Sequence, residues 1–289
     1  MISKTFRAAL IGLTSLGLAA CGGEEGTETT ETTETETTEP ATEAPEEAMS
    51  EADAMAEIYK AAIANPARPE TDSERDEGRK PAEALAFYGI ELGMAVVDLH
   101  AGGGYFTRLF SDVVGPEGSV VAHNSARRFP EADRPKFEEA FQGYGNIAFD
   151  YADPSELEMA DGSLDVVFLG LVYHHWHYAE ASGEELPPLS AERIANVYRM
   201  LKPGGIFGVI EHVAAADTTR AASAALHRVP PAMAEADITA AGFILEATSD
   251  MHTHAEDDIT LFWRENTPRG MTNRMVHLYR KPLEEPAVD

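Results

Sequence analysis

A glycine-rich turn carries the sharpest chemical signal in this sequence. An apolar run at residues 94–99 contains Asp98 and leads through His100 into the turn Ala101-Gly102-Gly103-Gly104, after which a helical pattern begins. Glycines let the backbone approach a ligand closely, and the N-terminus of the following helix favours an anionic group. In open α/β sheets, ligands bind beyond the carboxyl ends of the strands. The pattern therefore predicts a ligand-binding turn at the end of a strand.

The turn departs from two common nucleotide-binding motifs. A dinucleotide fingerprint needs Gly-x-Gly-x-x-Gly, but after Gly102 and Gly104 the third position holds Thr107. The acid expected about 20 residues further on is replaced by Asn124. A Walker-type phosphate loop is absent from the sequence as well. These departures disfavour a nicotinamide site.

Histidines near the ends of predicted strands form the second signal. Four of them occupy such positions: His100, His123, His174 and His212. Two more lie beside the third of these, in Tyr173-His174-His175-Trp176-His177. Because the carboxyl ends of parallel strands meet at one edge of a sheet, several imidazoles are expected to share a cleft. A neutral imidazole can act as a general base or bind a metal ion.

The simplest interpretation of these histidines is that most of them line an ordinary cleft and are held there by hydrogen bonds. Two functional interpretations remain open beside it. In the first, His174 or His212 acts as a base with Glu211 as its partner, so His174, Glu211 and His212 are the candidate catalytic residues. In the second, three imidazoles hold a zinc-like ion. The sequence has neither a His-x-x-x-His pair nor a cysteine partner for such a site. The spacing therefore favours the first interpretation, and no metal ligand is predicted.

Short apolar runs alternate with helical patterns along most of the chain. Such alternation predicts an α/β fold with a doubly wound, mostly parallel sheet covered on both faces. The predicted strands are residues 94–99, 119–123, 146–150, 164–169, 206–212, 243–249 and 272–279. The predicted helices are residues 52–63, 81–88, 105–114, 134–142, 191–201 and 231–241. The last two strands are close in sequence, which predicts an antiparallel edge strand in a seven-stranded sheet.

The first residues are typical of an exported lipoprotein. Lys4 and Arg7 flank an apolar run, and Leu18-Ala19-Ala20 precedes the single cysteine, Cys21. A basic start, a short apolar stretch and small residues at the cut are the features of a secretory signal. The arrangement resembles a bacterial lipoprotein signal. This resemblance implies removal of residues 1–20 and a lipid anchor on Cys21 that holds the chain in the cell envelope, on the periplasmic face of the outer membrane.

A threonine- and glutamate-rich segment, residues 21–57, follows the predicted cut. Between residues 22 and 57 there are 13 acidic residues and no lysine or arginine. Like charges repel, and the segment has too little apolar surface to form a core. We expect a disordered tether that holds a folded domain, residues 58–289, away from the membrane. An interaction tail is the alternative.

The charge and cysteine content exclude several functional classes. The chain has 22 Lys+Arg against 50 Asp+Glu, a net charge of −28, which argues against a nucleic-acid partner because phosphate contacts need a basic face. From residue 58 onward the chain is still acidic, with 20 basic and 37 acidic residues. A single cysteine excludes an internal disulfide and a Cys-rich zinc module.

The predicted anchor has a direct test. Cys21→Ser is expected to leave an unprocessed precursor that incorporates no fatty acid, because the thiol that carries the lipid is gone. Metabolic labelling with palmitate followed by gel electrophoresis measures both processing and acylation. Equal label in the wild type and in Cys21→Ser would contradict the lipoprotein interpretation.

Ordered motifs over about residues 85–281 resemble the class I S-adenosylmethionine-dependent methyltransferases. In chain order they are Asp98 to Gly104, Asn146-Ile147-Ala148-Phe149 with Asp153 and Leu157, Asp161-Gly162-Ser163-Leu164-Asp165-Val166-Val167-Phe168, Leu201-Lys202-Pro203-Gly204-Gly205-Ile206 and Ala241-Gly242-Phe243. The segments at residues 75–81 and 269–282 resemble a poorly characterised group of predicted methyltransferases within that family. The resemblance implies a Rossmann-like fold, S-adenosylmethionine as the cofactor, and methyl transfer to a small acceptor.

The resemblance also implies roles for particular residues. The methionine and ribose side of the cofactor would be lined by Asp98, His100, Ala101, Gly102 and Gly104, the ribose hydroxyls would meet Asn124, and the adenine amino group would meet Asp153. This chain departs from the family in having His100 in place of a glycine, Asn124 in place of an acid, and Pro154, which lacks a backbone N–H. With the export signal, these departures support a second hypothesis. The chain would then be a lipid-anchored binding protein that keeps the fold but has lost or changed its cofactor.

Overall fold

The computed structural model describes residues 50–177, 185–265, 268 and 270–283 of the chain. By its internal contacts the chain divides into Met1–Glu47 and Ala48–Asp289, and all features described below lie in the second unit. The predicted signal segment, Cys21 and the tether up to residue 49 lie outside the described residues. Within the described part of the chain, no helix has the length and apolar character needed to cross a bilayer.

Seven strands form one mixed sheet in the order β3-β2-β1-β4-β5-β7-β6. They are β1 (Ala95–Leu99), β2 (Ser119–His123), β3 (Ile147–Asp150), β4 (Leu164–Gly170), β5 (Leu201–His212), β6 (Ile244–Ser249) and β7 (Arg274–Arg280). Strands β1 to β5 pair in parallel, whereas β7 is antiparallel to both β5 and β6. The predicted α/β sheet is confirmed, and its antiparallel strand lies one place in from the edge.

Helices cover both faces of this sheet. They are α1 (Glu51–Ile63), α2 (Glu70–Ser73), α3 (Asp76–Arg79), α4 (Pro81–Phe87), α5 (Tyr105–Val114), α6 (Arg134–Glu139), α7 (Pro188–Met200), α8 (Arg220–Leu226) and α9 (Pro231–Thr239), with 3₁₀ helices at Glu131–Asp133 and Tyr173–His177. Val96 and Val166 pack in the core with α1, α4 and α5, whereas Val97 and Val167 pack with α7 and α9. Burial on both faces explains why the strands are continuous apolar runs.

Helix α1 begins at Glu51, inside the segment that the sequence assigned to the tether. The Ser50 hydroxyl oxygen caps the helix by accepting a hydrogen bond from the Asp53 N–H at 3.1 Å. Met55 and Tyr59 pack on the core, and the Tyr59 hydroxyl donates a hydrogen bond to the Ile90 carbonyl at 2.9 Å. The folded unit therefore starts before residue 58, because the acidic residues of this helix are exposed while Tyr59 and Ala62 are buried.

Helices α2, α3 and α8 fall outside the predicted elements. The segment with α2 and α3 has no apolar stripe and is held by ion pairs instead. Arg68 Nη2 lies 2.6 Å from Asp76 Oδ1, and Arg108 Nη1 lies 2.9 Å from the buried Asp72 carboxylate. These contacts join the segment to the helix after the glycine turn, so it forms part of the wall of the site described next.

Candidate functional site

The carboxyl ends of β1, β4 and β5 open into a cavity of about 990 Å³, called here the main cavity. Its walls come from the turn after β1, the loop after β4, the end of β5, His227 and segments within residues 74–79 and 262–274. A smaller cavity of about 290 Å³, the side cavity, is lined by Ser125, Trp176 and Arg193. His100, Arg128 and His175 line both cavities.

The glycine turn after β1 is held in left-handed backbone conformations. The φ angles of His100, Gly102 and Gly104 are 54°, 60° and 79°. Glycine adopts such angles freely, whereas a side chain at His100 makes them strained. Asn124 braces the turn: its Oδ1 accepts a hydrogen bond from the Gly102 N–H at 2.9 Å, and its Nδ2 donates to the Gly102 carbonyl at 3.1 Å. Both the oxygen and the nitrogen of the Asn124 side-chain amide are therefore used in holding the turn.

Asp98 lies on β1 at the inner wall of the main cavity and is buried. The Thr107 hydroxyl donates a hydrogen bond to Asp98 Oδ2 at 2.6 Å. Burial raises the pKa of the Asp98 carboxyl to about 7, although Thr107 and the nearby Arg79 act to lower it. Near neutral pH this carboxyl is divided between its protonated and ionised forms, and a cationic ligand beside it favours the ionised form.

His100 lines both cavities. Its backbone N–H donates a hydrogen bond to His123 Nδ1 at 3.2 Å, so the other ring nitrogen, His123 Nε2, carries the proton that the Ala152 carbonyl accepts at 2.9 Å. The Trp176 indole N–H donates to His100 Nε2 at 3.5 Å. Burial and the neighbouring His123 lower the pKa of His100 to about 3. Both imidazoles are therefore neutral near pH 7 and are fixed by hydrogen bonds.

Asp153 is held by an arginine of the side cavity. Arg193 donates two hydrogen bonds to the Asp153 carboxylate, at 2.9 and 2.6 Å, and the Ser155 hydroxyl donates a third at 2.9 Å. Partial burial alone would raise the pKa of Asp153, but the bonds from Arg193 and Ser155 lower it to about 2. Asp153 therefore positions Arg193 against the cavity and is itself fully ionised near neutral pH.

Three histidines meet at the outer part of the main cavity. His174 and His175 lie on the 3₁₀ helix after β4, and His227 ends α8. The ring centroid of His174 lies 4.0 Å from that of His175 and 4.7 Å from that of His227. One nitrogen from each ring lies within 4.8 Å of the other two. Burial lowers the pKa of His175 to about 2 and that of His227 to about 4, so both rings are neutral near pH 7.

Glu211, near the end of β5, organises the loop that carries His174. Its Oε2 accepts hydrogen bonds from the His174 backbone N–H and from His174 Nδ1, both at 2.9 Å, and its Oε1 accepts one from the His212 N–H at 2.6 Å. Burial would raise the pKa of Glu211, but His174 and His212 lower it, so the carboxylate is ionised. A buried carboxylate therefore orients the His174 ring.

His212 lies on the opposite side of the same carboxylate. Its Nδ1 is 2.8 Å from the Thr272 hydroxyl, and its ring stacks on Trp263 with centroids 4.9 Å apart. Burial lowers the pKa of His212 to about 3. The His212 and His174 ring centroids are 6.5 Å apart, so His212 lines the cavity without joining the group of three.

The structure gathers many of the residues singled out in the sequence around the main cavity. Those that line it are Asp98, His100, Ala101, Gly102, His174 and His212. Gly104, Asn124, Asp153 and Glu211 are not among its lining residues. Asn124 and Glu211 hold residues that line the main cavity, whereas Asp153 holds Arg193 of the side cavity. Sequence reasoning missed His175 and His227 as partners of His174. The adjacent histidines were visible, but no spacing connects His227 to them, because it follows a separate helix.

The comparisons with known proteins agree with this architecture. Residues 97–209 match the model of the family described as "Methyltransferase domain". The chain is 31% identical over 123 residues to the ubiquinone/menaquinone biosynthesis C-methyltransferase UbiE of Stutzerimonas stutzeri, a match that covers 43% of each protein. It is 26% identical over 188 residues to UbiE of a Marinomonas species, covering 65% of this chain and 67% of that protein.

The similarity to the first of these relatives thus spans less than half of its length. Among solved structures, a chain from the complex of the Haloferax volcanii methyltransferase activator Trm112 with a methyltransferase aligns with a TM-score of 0.53 at 18% identity. That alignment covers 78% of this chain and 98% of the other. The fold is that of the class I S-adenosylmethionine-dependent methyltransferases, and residues 97–209 are the part of the chain that matches the methyltransferase-domain model. The comparisons support S-adenosylmethionine as its cofactor.

The residues of the site fit this cofactor. Asp98 offers a buried carboxylate whose ionised form is stabilised by the ammonium and sulfonium charges of such a ligand. A Cβ atom added at Gly103 would meet nothing within 4 Å, so the turn faces open space. The side cavity, bordered by Ser125 and Arg193, offers space for a nucleoside portion next to His100. Asn124 and Asp153 support these surfaces.

Proposed function

We propose that this protein transfers the methyl group of S-adenosylmethionine to a small acceptor bound in the main cavity. The observation that carries the proposal is that one cavity is lined both by the glycine turn with Asp98 and by the histidines around Glu211. A cofactor held by the turn and an acceptor held among the histidines would share this space. In-line positioning of the two is the main contribution of a protein to such a transfer.

The cofactor side is assigned to the turn and the side cavity. Asp98 and the backbone at Gly102 and Gly103 would hold the methionine portion, and Trp176 with Arg193 would border the nucleoside portion. When bound, the cofactor supplies an electrophilic methyl group on sulfur. The chain's part is to orient it and to exclude water from the inner wall.

The acceptor side contains two imidazoles that can take a proton from a protonated nucleophile. His174 is oriented by Glu211 and presents Nε2, and His212 is oriented by Thr272. The Glu211 carboxylate fixes the orientation of the His174 ring, which favours His174 for this role. His212, with a pKa of about 3, serves only an acceptor that is itself acidic.

The charge of the cavity indicates an anionic acceptor. Five arginines line it, against the three acids Glu74, Glu77 and Asp98; they are Arg75, Arg79, Arg128, Arg264 and Arg274. Burial lowers the pKa values of Arg79 and Arg274 to about 10, so both remain charged near pH 7. Concentrated positive charge in a chain of net charge −28 favours a carboxylate or phosphate group on the acceptor.

The location proposed for this activity is the cell envelope, with the domain held there through an acylated Cys21. The alternative function, a lipid-anchored binding protein that has lost or changed its cofactor, shares that location. It differs from the proposed function only in whether the turn binds S-adenosylmethionine. Cofactor binding therefore separates the two.

The decisive measurement is calorimetry of the purified protein with S-adenosylmethionine and S-adenosylhomocysteine, using the wild type and His100→Gly. His100→Gly is expected to bind at least as tightly as the wild type, and up to about tenfold more tightly. Glycine accepts the left-handed backbone at residue 100 and removes a side chain that lines both cavities. His100→Phe, a bulkier ring at the same place, is expected to bind more weakly. If neither the wild type nor His100→Gly binds at millimolar cofactor, the methyl-transfer proposal fails and the binding-protein alternative stands.

A further inference from the structure

The three histidines at the outer part of the main cavity, His174, His175 and His227, are called here the histidine triad. One ring nitrogen from each lies within 4.8 Å of the others. His174 Nε2 is buried and has no hydrogen-bond partner among the described residues, and the His174 side chain is only 3% exposed. A buried polar nitrogen aimed at two neighbouring imidazoles calls for a ligand that all three can share.

The opposite side of the His174 ring is fixed by Glu211. Glu211 Oε2 accepts the Nδ1 proton of His174 at 2.9 Å, which leaves Nε2 as the nitrogen with a free lone pair. A carboxylate that orients a ligating histidine through its second nitrogen is the usual support of a metal-bound imidazole. Glu211 is fully buried, and its other oxygen is held by the His212 N–H at 2.6 Å, so the support is rigid.

His227 is held in place at a backbone angle that a side chain rarely adopts. It ends α8 with φ 54° and ψ 43°, in the left-handed region where glycine is the usual residue. The following residue, Arg228, is fully buried and forms two hydrogen bonds with Asp257, at 2.8 and 2.7 Å. Strained residues that persist in this way cluster at functional sites. The strained backbone angle of His227 therefore supports a functional role for this residue.

We propose that the histidine triad binds one divalent transition-metal ion of the zinc class, through His174 Nε2 and one nitrogen each of His175 and His227. Three imidazoles with a carboxylate behind one of them suit such an ion. Zinc–nitrogen bonds of about 2.0–2.1 Å require the three nitrogens to approach one another to roughly 3.4 Å, a side-chain adjustment within the present arrangement. The fourth position faces the main cavity.

The open position determines what the ion would do. An oxygen of an anionic acceptor or a water molecule would complete the coordination, in the same cavity that Arg128 and Arg264 line. With the ion bound, His174 is a ligand, and His212 is the remaining imidazole that can take a proton. The inference does not rest on the proposed function, because metal binding is measured without the cofactor.

The test is metal titration of the full chain, purified without a histidine tag and stripped with a chelator. Calorimetry with zinc sulfate is expected to show about one equivalent bound per chain, and cobalt(II) is expected to give visible absorption bands of a site with nitrogen ligands. His175→Gln and His227→Gly are each expected to weaken zinc binding by at least about tenfold. Glu211→Gln is expected to weaken it by about 10- to 100-fold.

Two features keep the test independent of folding. His227→Gly places glycine at a left-handed position, so its melting temperature is expected to stay unchanged or rise while zinc binding is lost. His212→Gln changes another histidine of the same cavity, 6.5 Å from His174 by ring centroids, and is expected to keep full zinc binding. Substoichiometric zinc in the wild type, or equal binding by the wild type, His175→Gln and His227→Gly, would overturn the proposal. Either result would leave S-adenosylmethionine binding to be judged on its own measurement.

Discussion

Asp98→Asn is expected to weaken S-adenosylmethionine binding by about 10- to 100-fold at pH 8. The substitution removes a charge-assisted interaction worth roughly 1.5–3 kcal/mol. It preserves shape, and the amide can still accept the hydrogen bond that Thr107 donates to this side chain. Calorimetric dissociation constants for the two proteins, with melting temperatures as a check on folding, provide the measurement. Equal affinities at pH 8 would show that the Asp98 carboxylate makes no contact with the cofactor.

The same carboxyl sets an expected pH dependence. Because burial raises the pKa of Asp98 to about 7, wild-type affinity should rise between pH 6 and pH 8 as the carboxylate forms, and the affinity of Asp98→Asn should not. The stability of the folded protein without ligand changes in the opposite direction, falling as the pH rises. The contribution of Asp98 to folding is complete below its ordinary pKa of 3.8 and is lost as the pH rises through about 7. Without ligand, the wild type should therefore lose melting temperature relative to Asp98→Asn between pH 5 and pH 8.

Asp257→Ala is expected to lower the free energy of unfolding by about 3–5 kcal/mol, because it leaves the buried Arg228 guanidinium without its partner. Both side chains of this pair are fully buried. Arg228 also donates hydrogen bonds to the carbonyls of Val213 and Leu261, at 3.0 and 2.8 Å, and Asp257 accepts one from the Asn273 N–H at 2.7 Å. A loss of this size lowers the melting temperature by about 6–20 °C in a domain of this length.

Two variants control this prediction. Glu246→Gln breaks the exposed ion pair with Arg280 and is expected to cost no more than about 1 kcal/mol. The double variant Arg228→Met/Asp257→Leu removes both buried charges and should recover part of the stability lost in Asp257→Ala. Thermal unfolding of all variants at one pH measures these differences. A change no larger for Asp257→Ala than for Glu246→Gln would show that the buried pair contributes little.

The fold was predictable because its central strands are buried on both faces and alternate with amphipathic helices. The bounds of β2 (Ser119–His123) and α5 (Tyr105–Val114) were predicted to the residue. β5 begins at Leu201 and not at residue 206, because Leu201 pairs with Leu164 before a shift of register. That pairing depends on a residue of a different strand, and no local pattern reveals it.

The sequence could predict the site residues that lie on strands, but not those that reach the site from other elements. Asp98 and His212 lie on strands, and both line the cavity as the topology requires. His227 reaches the same cavity from the end of α8, a helix of alanines and serine that shows no clear periodicity. Its place is determined by the buried pair of Arg228 with Asp257, and partners far apart in the chain leave no signature in either segment.

The position of β7 also bears on how the chain is made. It is the last of the seven strands to be synthesised, yet it lies between β5 and β6 and pairs with β5 along Ile206 to His212. A nascent chain therefore carries β5 with one open, apolar edge until residues 274–280 have emerged from the ribosome, and open edges of this kind pair with other chains. A message truncated before residue 274 would encode nearly all residues of the site. Its product is nevertheless expected to aggregate. The sheet cannot be completed until β7, its last strand in the sequence, has been synthesised.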